Sequence, residues 1–170
     1  PNTRHEQVDL TPVYDHFVAA MQPGGADHEL SLANSRARLR MSTLYYHGQA
    51  NGLLVAGTGN KIEDFGVGFY TKYGDGGVDL SPIADLVKTE VFALARQLGV
   101  VESILNAQPT DGLWGDDRTD EDQLGASYPE LEWAMSQHEA GKSAADFSGR
   151  EAEVMAIYLR FNTANKHKML

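Results

Sequence analysis

A short run after an apolar segment carries residue types that could bind a nucleotide and its metal ion. Gly57–Glu63 directly follows Leu53–Ala56. Ligands of doubly wound sheets bind at the carboxyl ends of strands, where Thr58 would offer a hydroxyl and glycines would let a ligand approach the backbone. Glu63 could supply a carboxylate to Mg²⁺, which proteins hold with one or two carboxylates plus substrate phosphates. The alternative is an ordinary strand-to-helix turn with a solvated glutamate.

A second segment, Thr71–Asp79, combines three glycines with one base, one aromatic residue and two acids. This composition suits a loop shaped around a ligand. Lys72 could contact a phosphate, and Asp79 could accept hydrogen bonds from ribose hydroxyls or from an amide. The alternative is a tight hairpin with Asp75-Gly76 as its turn.

Several basic residues could bind an anion elsewhere in the chain. Arg36, Arg38 and Arg40 fall within five residues of one predicted helix, where 36 and 40 share a face and 38 points elsewhere. A guanidinium binds phosphate or carboxylate at two points. Taken alone, Lys88 and the terminal His167-Lys168 pair are predicted to be solvated.

Composition excludes several other kinds of chemistry. The chain of 170 residues has no cysteine, which rules out disulfides, cysteine-ligated zinc and a thiol nucleophile. The acidic stretch at 116–122 lacks the central glycine and distal glutamate of a calcium loop. A net charge of −10 argues against a broad nucleic-acid surface, and no apolar run of ~18 residues predicts a membrane span. The absence of cysteine also fits a cytoplasmic location.

The elements that must position these residues alternate between strand and helix, which predicts one α/β domain over 1–170 with a parallel sheet. The apolar run Leu53–Thr58 suits a central parallel strand. Helical spacing and capping residues predict helices over Thr11–Met21, Leu30–His47 (ended by Gly48), Ile83–Leu98, Thr119–Gly125, Tyr128–His138 and Ser148–Asn162.

Taken together, these segments resemble a known enzyme family. The run Gly57–Asp85, GTGNKIEDFGVGFYTKYGDGGVDLSPIAD, resembles NAD⁺ synthetases. The resemblance extends to NSRARLRMSTLYY upstream and to TDEDQLGASYPELE and the terminal HK downstream. It spans about Leu30 to Lys168, which is most of the chain.

The resemblance implies an adenine-nucleotide α-hydrolase-like (Rossmann-like) fold and a homodimer. Members of this family make NAD⁺ from nicotinate adenine dinucleotide (deamido-NAD), Mg²⁺-ATP and ammonia. ATP adenylates the nicotinate carboxylate, pyrophosphate leaves, and ammonia then displaces AMP. Such an enzyme works mainly by positioning its substrates and neutralising their charge.

The resemblance also assigns roles residue by residue, and it replaces the solvated interpretation of Lys88 and of the terminal pair. Deamido-NAD contacts are assigned to Arg38, Lys72, Asp79, His167 and Lys168. ATP contacts are assigned to Thr58, Lys88 and Thr110, and the Mg²⁺ ligand is Glu63.

One departure bears on activity. The family carries a Ser-Gly-Gly-x-Asp-Ser loop that cradles the ATP phosphates and supplies a second Mg²⁺ carboxylate, and no such run occurs in these 170 residues. We therefore expect a domain that is incomplete at its N-terminus and lacks its first strands and phosphate loop. Two alternatives stay open: an inactive chain that binds dinucleotide or dimerises, and another ATP pyrophosphatase that amidates a different acceptor. The expected nitrogen donor is free ammonia, because no glutaminase domain is visible.

Overall fold

Helices make up most of the computed structural model, which describes residues 3–21, 28–112, 116 and 118–169. None of the described helices combines the length and the apolar character needed to cross a membrane. The α-helices are α1 (Thr11–Met21), α2 (Glu29–Asn51), α3 (Lys88–Gln97), α4 (Glu102–Leu105), α5 (Asp120–Leu124), α6 (Tyr128–Glu139) and α7 (Gly149–Asn165). A π-helix spans Ile62–Val67, and short 3₁₀ turns span Ala144–Asp146 and Lys166–Lys168.

Helix α2 is longer than the sequence predicts. Gly48 does not end it but lies buried inside it, and a Cβ at this position would stand 3.2 Å from the Leu53 carbonyl oxygen. The helix ends instead at Gly52, whose φ of 65° is left-handed. Gly48 is therefore required by the close return of the chain, and Gly52 by the turn itself.

The predicted parallel pairing is present, but it is limited to a single bridge. Ala56 pairs with Leu80 in parallel orientation, and this bridge is the only strand pairing among the described residues. The Gly57 amide donates to the Leu80 carbonyl at 2.7 Å. Leu53 and Leu54 remain 66% and 71% exposed. A full strand over Leu53–Thr58 is therefore not formed in the described structure, because no second neighbour covers it.

Helix α3 begins later than its apolar spacing predicts. Residues 81–86 form turns, and the helix starts only at Lys88. The Leu86 carbonyl accepts from the Lys61 amide at 2.8 Å, so it is not available to begin a helix. The Glu90 side chain accepts from the Val87 amide at 3.0 Å, which caps the helix at that point. Lys88 consequently stands at the first turn of α3 rather than on its outer face.

The core is formed by α6, α7 and the π-helix, which pack against one another. Ile62 and Val67 of the π-helix, Leu131 of α6 and Met155 of α7 are all fully buried. The helical spacing of Val154, Ile157, Tyr158 and Phe161 predicts that these side chains face inward. This prediction is confirmed, since Val154 and Tyr158 are buried and Ile157 and Phe161 pack against the core cluster.

The start of α6 is tied to α7 by one carboxylate. Glu130 accepts from the Ser127 amide at 2.8 Å and from Arg150 Nε at 2.7 Å. The Arg150 hydrogen bond, followed by the Ser127 amide, lowers the pKa of Glu130 to about 2. The same carboxylate therefore caps one helix and anchors the next.

The π-helix places Asp64 in a crowded, acidic environment. A Cβ at Gly59 would collide with its carboxylate, so a larger residue there would require the Asp64 side chain to move. Burial, together with the nearby charges of Glu63 and Asp75, raises the pKa of Asp64 to about 6. The ionised form of Asp64 is therefore disfavoured in the folded protein.

Replacing Glu130 by Gln should lower the free energy of unfolding by about 1–2 kcal/mol at pH 7, because a charged acceptor is lost. The folded pKa lies below the ordinary value of 4.5, so the contribution is complete above pH 4.5 and fades as the pH falls toward 2. Urea unfolding of both proteins across this range measures the effect. Glu153→Gln, which touches the same arginine from the exposed face at 3.1 Å, is the control and should change little. Equal losses of unfolding free energy in Glu130→Gln and Glu153→Gln would contradict the anchoring role assigned to Glu130.

Replacing Asp64 by Asn should have the opposite effect and stabilise the protein by about 3 kcal/mol at pH 7. The folded pKa is about 6 against an ordinary 3.8, so wild-type stability falls as the pH rises through this interval. The variant should lose that slope and match the wild type below pH 4. Thermal melts between pH 4 and 7 test this. A variant that keeps the wild-type slope would exclude Asp64 as its source.

Candidate nucleotide site

The C-terminal 3₁₀ turn is docked on residues 68–72 by reciprocal hydrogen bonds. Lys168 Nζ donates to the carbonyls of Gly68 and Tyr70, both at 2.9 Å. In return, the Tyr70 hydroxyl donates to the Lys168 carbonyl, and Lys72 Nζ donates to the His167 carbonyl at 2.5 Å. Burial lowers the pKa of Lys168. The predicted solvated tail is therefore wrong for Lys168, which is built into the fold.

Two amide side chains of α7 extend this contact along the end of the π-helix. Asn162 Nδ2 donates to the Gly66 carbonyl at 2.7 Å, and Asn165 Nδ2 donates to the Val67 carbonyl at 2.8 Å. Gly68, at φ 64°, ends the π-helix. Helix ends leave carbonyls without intrahelical partners, and here α7 supplies the missing donors.

Arg38 joins the same neighbourhood from α2. Its Nε donates to the Lys72 carbonyl at 3.2 Å. Four of the five residues that the resemblance assigns to deamido-NAD thus meet in one place: Arg38, Lys72, His167 and Lys168. They come from three segments that lie far apart in the sequence, and all four side chains are basic.

Asp79 lies apart from that group and is engaged in the fold. Its carboxylate accepts from the Tyr45 hydroxyl at 3.1 Å and from the Val55 amide at 2.8 Å. It thereby fixes the chain beside the Ala56–Leu80 bridge. The predicted hairpin at Asp75-Gly76 is wrong, because the described residues 71–77 form successive turns with no paired strands.

A cavity of about 690 Å³ opens between α2, the bridge and the docked C-terminus. Thr58 and Thr110, the two hydroxyl residues assigned to ATP, both line it, and so does Lys168. Arg40 and Asp75 contribute opposite charges to its wall. Its volume lies within the range of small-molecule sites, and two residues assigned to ATP and one assigned to deamido-NAD line the same opening.

Glu63 and Lys88, the remaining predicted pair, form a half-buried ion pair. Lys88 Nζ lies 2.8 Å from Glu63 Oε1, and the two side chains are 19% and 15% exposed. The Tyr128 hydroxyl donates to the same oxygen at 2.7 Å, and Lys88 Nζ stands 4.7 Å from the centre of the Tyr128 ring. Both solvated interpretations, of Glu63 and of Lys88, are therefore wrong.

Asp120 completes this second group. It is 7% exposed, and its Oδ2 lies 3.2 Å from the Tyr128 hydroxyl. Burial raises the pKa of Asp120, and burial followed by the charge of Glu63 raises the pKa of Tyr128. We call Glu63, Lys88, Asp120 and Tyr128 the carboxylate cluster.

The donor set of the carboxylate cluster fits magnesium only as part of a nucleotide complex. Among the described residues, no group of three or more His, Cys, Asp or Glu side chains could hold a metal ion by itself. Mg²⁺ is commonly bound through one or two carboxylates and substrate phosphates. Glu63 supplies one such carboxylate, and the cluster also contains Asp120 Oδ1, a buried oxygen with no hydrogen-bond partner in the described part of the chain.

Two members of the cluster were not identified from the sequence. Tyr128 was recognised only as a helix start, and Asp120 only as part of an acidic stretch that includes a capping box. Both fall inside TDEDQLGASYPELE, a run that carries the family resemblance. That run was the available signal, but it gave neither residue a role.

Comparison with known proteins indicates the family of this chain. A sequence profile described as NAD synthase matches residues 2–169. The chain is 38% identical to the NH₃-dependent NAD⁺ synthetase of Methanosarcina mazei over 96% of this chain and 64% of that protein. The NH₃-dependent NAD⁺ synthetase of Mesoplasma florum is 49% identical over 74% of this chain and 51% of its own length.

A solved structure gives the same result. NMN synthetase from Francisella tularensis superposes with a TM-score of 0.82 at 32% identity, covering 99% of this chain and 65% of that one. The chain thus spans between about half and two thirds of the length of these proteins. On the profile match and the sequence identity, the chain belongs to the NAD synthase family.

Proposed function

We propose that the full-length protein is a carbon–nitrogen ligase that amidates nicotinate adenine dinucleotide with ammonia, at the expense of ATP, to give NAD⁺, AMP and pyrophosphate. The observation that carries this proposal is the convergence of separate segments. Basic residues from α2, from 68–72 and from the C-terminus meet, and one of them, Lys168, lines a cavity together with Thr58 and Thr110. A dinucleotide with two phosphates and a carboxylate suits such a set of cations.

The chemistry balances in two steps. A nicotinate carboxylate oxygen attacks the α-phosphorus of ATP, and the bond to pyrophosphate breaks. Ammonia then attacks the acyl carbon, loses a proton, and AMP leaves with the electron pair of the broken C–O bond. Lys88, Thr58 and Thr110 would hold ATP, while Arg38, Lys72, Asp79, His167 and Lys168 would orient the dinucleotide. Positioning of this kind accounts for much of the rate in phosphoryl chemistry.

Magnesium fits this proposal through Glu63. When bound with ATP, the ion would neutralise phosphate charge in the adenylation step. Lys88 currently neutralises Glu63 at 2.8 Å. Binding of Mg²⁺-ATP would therefore give Glu63 a cation and Lys88 an anion, so that each charge exchanges one partner for another.

A second candidate substrate is nicotinate mononucleotide. The superposition on an NMN synthetase favours it, and the amidation chemistry is the same. The two candidates differ in the adenylate half of the acceptor, so the acceptor itself separates them.

The full-length protein with Mg²⁺-ATP, ammonium and deamido-NAD should form NAD⁺, AMP and pyrophosphate in equal amounts. Chromatographic quantification of the three products provides the measurement, with nicotinate mononucleotide and glutamine tested in parallel. Preference for the mononucleotide would favour the second candidate. Dinucleotide binding without release of AMP would support the alternative of an inactive binding protein.

Glu63→Gln in the full-length protein should spare deamido-NAD binding and impair AMP formation, with partial recovery at excess Mg²⁺. The reason is that one metal carboxylate is lost while the dinucleotide contacts remain. AMP release measured against Mg²⁺ concentration tests this. Glu139→Gln is a control, since Glu139 pairs with Lys61 at 3.4 Å on a more exposed face. An unchanged Mg²⁺ curve for Glu63→Gln would contradict the assignment.

We extend the proposal to architecture and assembly. The Ala56–Leu80 bridge would be part of a larger parallel sheet of the adenine-nucleotide α-hydrolase-like type. The exposure of Leu53 and Leu54 supports this, because an apolar strand needs cover on both sides. A homodimer in the cytoplasm, without nucleic-acid or membrane partners, remains part of the proposal. Light scattering of the full-length protein tests the dimer.

A further inference from the structure

Tyr128 and Asp120 lie within the carboxylate cluster, and the proposed function gives neither of them a role. The Tyr128 hydroxyl stands 2.7 Å from Glu63 Oε1 and 3.2 Å from Asp120 Oδ2. A hydroxyl has one proton to donate. It can therefore serve one carboxylate at a time, and the shorter distance assigns it to Glu63.

Glu63 Oε1 accepts two donors, because Lys88 Nζ also binds it at 2.8 Å. A cation that binds this oxygen must displace at least one of these two donors. The lysine can turn to the phosphates of ATP. The tyrosine cannot turn to solvent, since Tyr128 is 3% exposed, and a buried hydroxyl without an acceptor is costly.

Asp120 is placed to accept that displaced hydrogen bond. It is 7% exposed, and its Oδ1 has no hydrogen-bond partner in the part of the chain that the structure describes. Its Oδ2 already lies within hydrogen-bonding distance of Tyr128. A buried carboxylate with unused accepting capacity is rare in proteins and calls for a reason.

We propose that Tyr128 and Asp120 are positioning residues for Glu63. The Tyr128 hydroxyl holds the Glu63 carboxylate when no metal is present, and it transfers its hydrogen bond to Asp120 when Glu63 binds magnesium with the nucleotide. This inference rests on the proposed role of Glu63 as a metal ligand. It assigns to the cluster a hydrogen-bond switch that is coupled to metal binding.

The switch predicts that Tyr128→Phe restores the nucleotide binding that Asp120→Asn weakens. Asp120→Asn replaces the charged acceptor by a weaker neutral one, and it should weaken binding of the Mg²⁺ complex of α,β-methylene-ATP about tenfold. Tyr128→Phe alone should change binding less than threefold. The double variant should also bind within threefold of wild type, because no hydroxyl is left without an acceptor.

Calorimetric titration of the full-length protein measures these affinities, and Tyr158→Phe is the matched control. Tyr158 is another buried tyrosine, 1% exposed. Removal of the Tyr158 hydroxyl should not restore nucleotide binding to the Asp120→Asn variant. If the tenfold defect persists in the Tyr128→Phe background, loss of negative charge explains it, and the switch is wrong.

A spectroscopic readout follows the hydroxyl itself. The ¹³Cζ resonance of labelled Tyr128, assigned by its absence in Tyr128→Phe, should move when the magnesium–nucleotide complex binds wild type. It should not move in Glu63→Gln. A resonance that stays fixed in wild type at saturation overturns the proposal, and this measurement decides the matter if Asp120→Asn fails to fold.

The Glu63→Gln variant also distinguishes a failure of this inference from a failure of the proposed function. If Glu63→Gln binds the complex as tightly as wild type, Glu63 is not a metal ligand, and both the metal assignment and the switch fail. If Glu63→Gln weakens binding but Tyr128→Phe does not restore binding to the Asp120→Asn variant, the switch alone fails and the proposed function stands.

Discussion

The ion pair between Glu63 and Lys88 is the interaction on which the arrangement of the second half of the chain depends. Partly buried charges are tolerated only when each is paired and hydrogen-bonded. The pair therefore requires the π-helix, the start of α3 and the start of α6 to converge, since these elements supply Glu63, Lys88 and Tyr128 respectively. Thr89 strengthens this convergence, because its hydroxyl donates to Glu132 of α6 at 2.7 Å.

A second constraint comes from backbone carbonyls at the end of the π-helix. The side chains of Asn162, Asn165 and Lys168 donate to carbonyls between Gly66 and Tyr70. Since buried carbonyls must find donors, α7 and the turn after it are fixed in register against this segment. The same contact places Lys168 in the wall of the cavity and Lys72 against the C-terminal turn. The register of α7 and the position of these basic residues thus depend on the same set of hydrogen bonds.

These two constraints explain how a chain of the NAD synthase family can keep its candidate contact residues in place while covering only part of the length of its relatives. The core formed by the π-helix, α6 and α7 lies within the described residues and does not depend on an extensive sheet. The carboxylate cluster and the docked C-terminus are both supported by that core. The exposed Leu53 and Leu54, by contrast, belong to the region where a sheet would need further strands.

Local patterns in the sequence determined the helices and much of the chemistry. The capping box of Thr119 and Asp122 and the inward face of α7 follow from short-range rules. The family resemblance supplied the site residues, whose ligand roles remain predictions. Only the tertiary structure decided where α3 begins, because the Lys61 amide takes the Leu86 carbonyl. It alone revealed Tyr128 and Asp120, since a hydroxyl shared between two carboxylates depends on distances that no sequence spacing encodes.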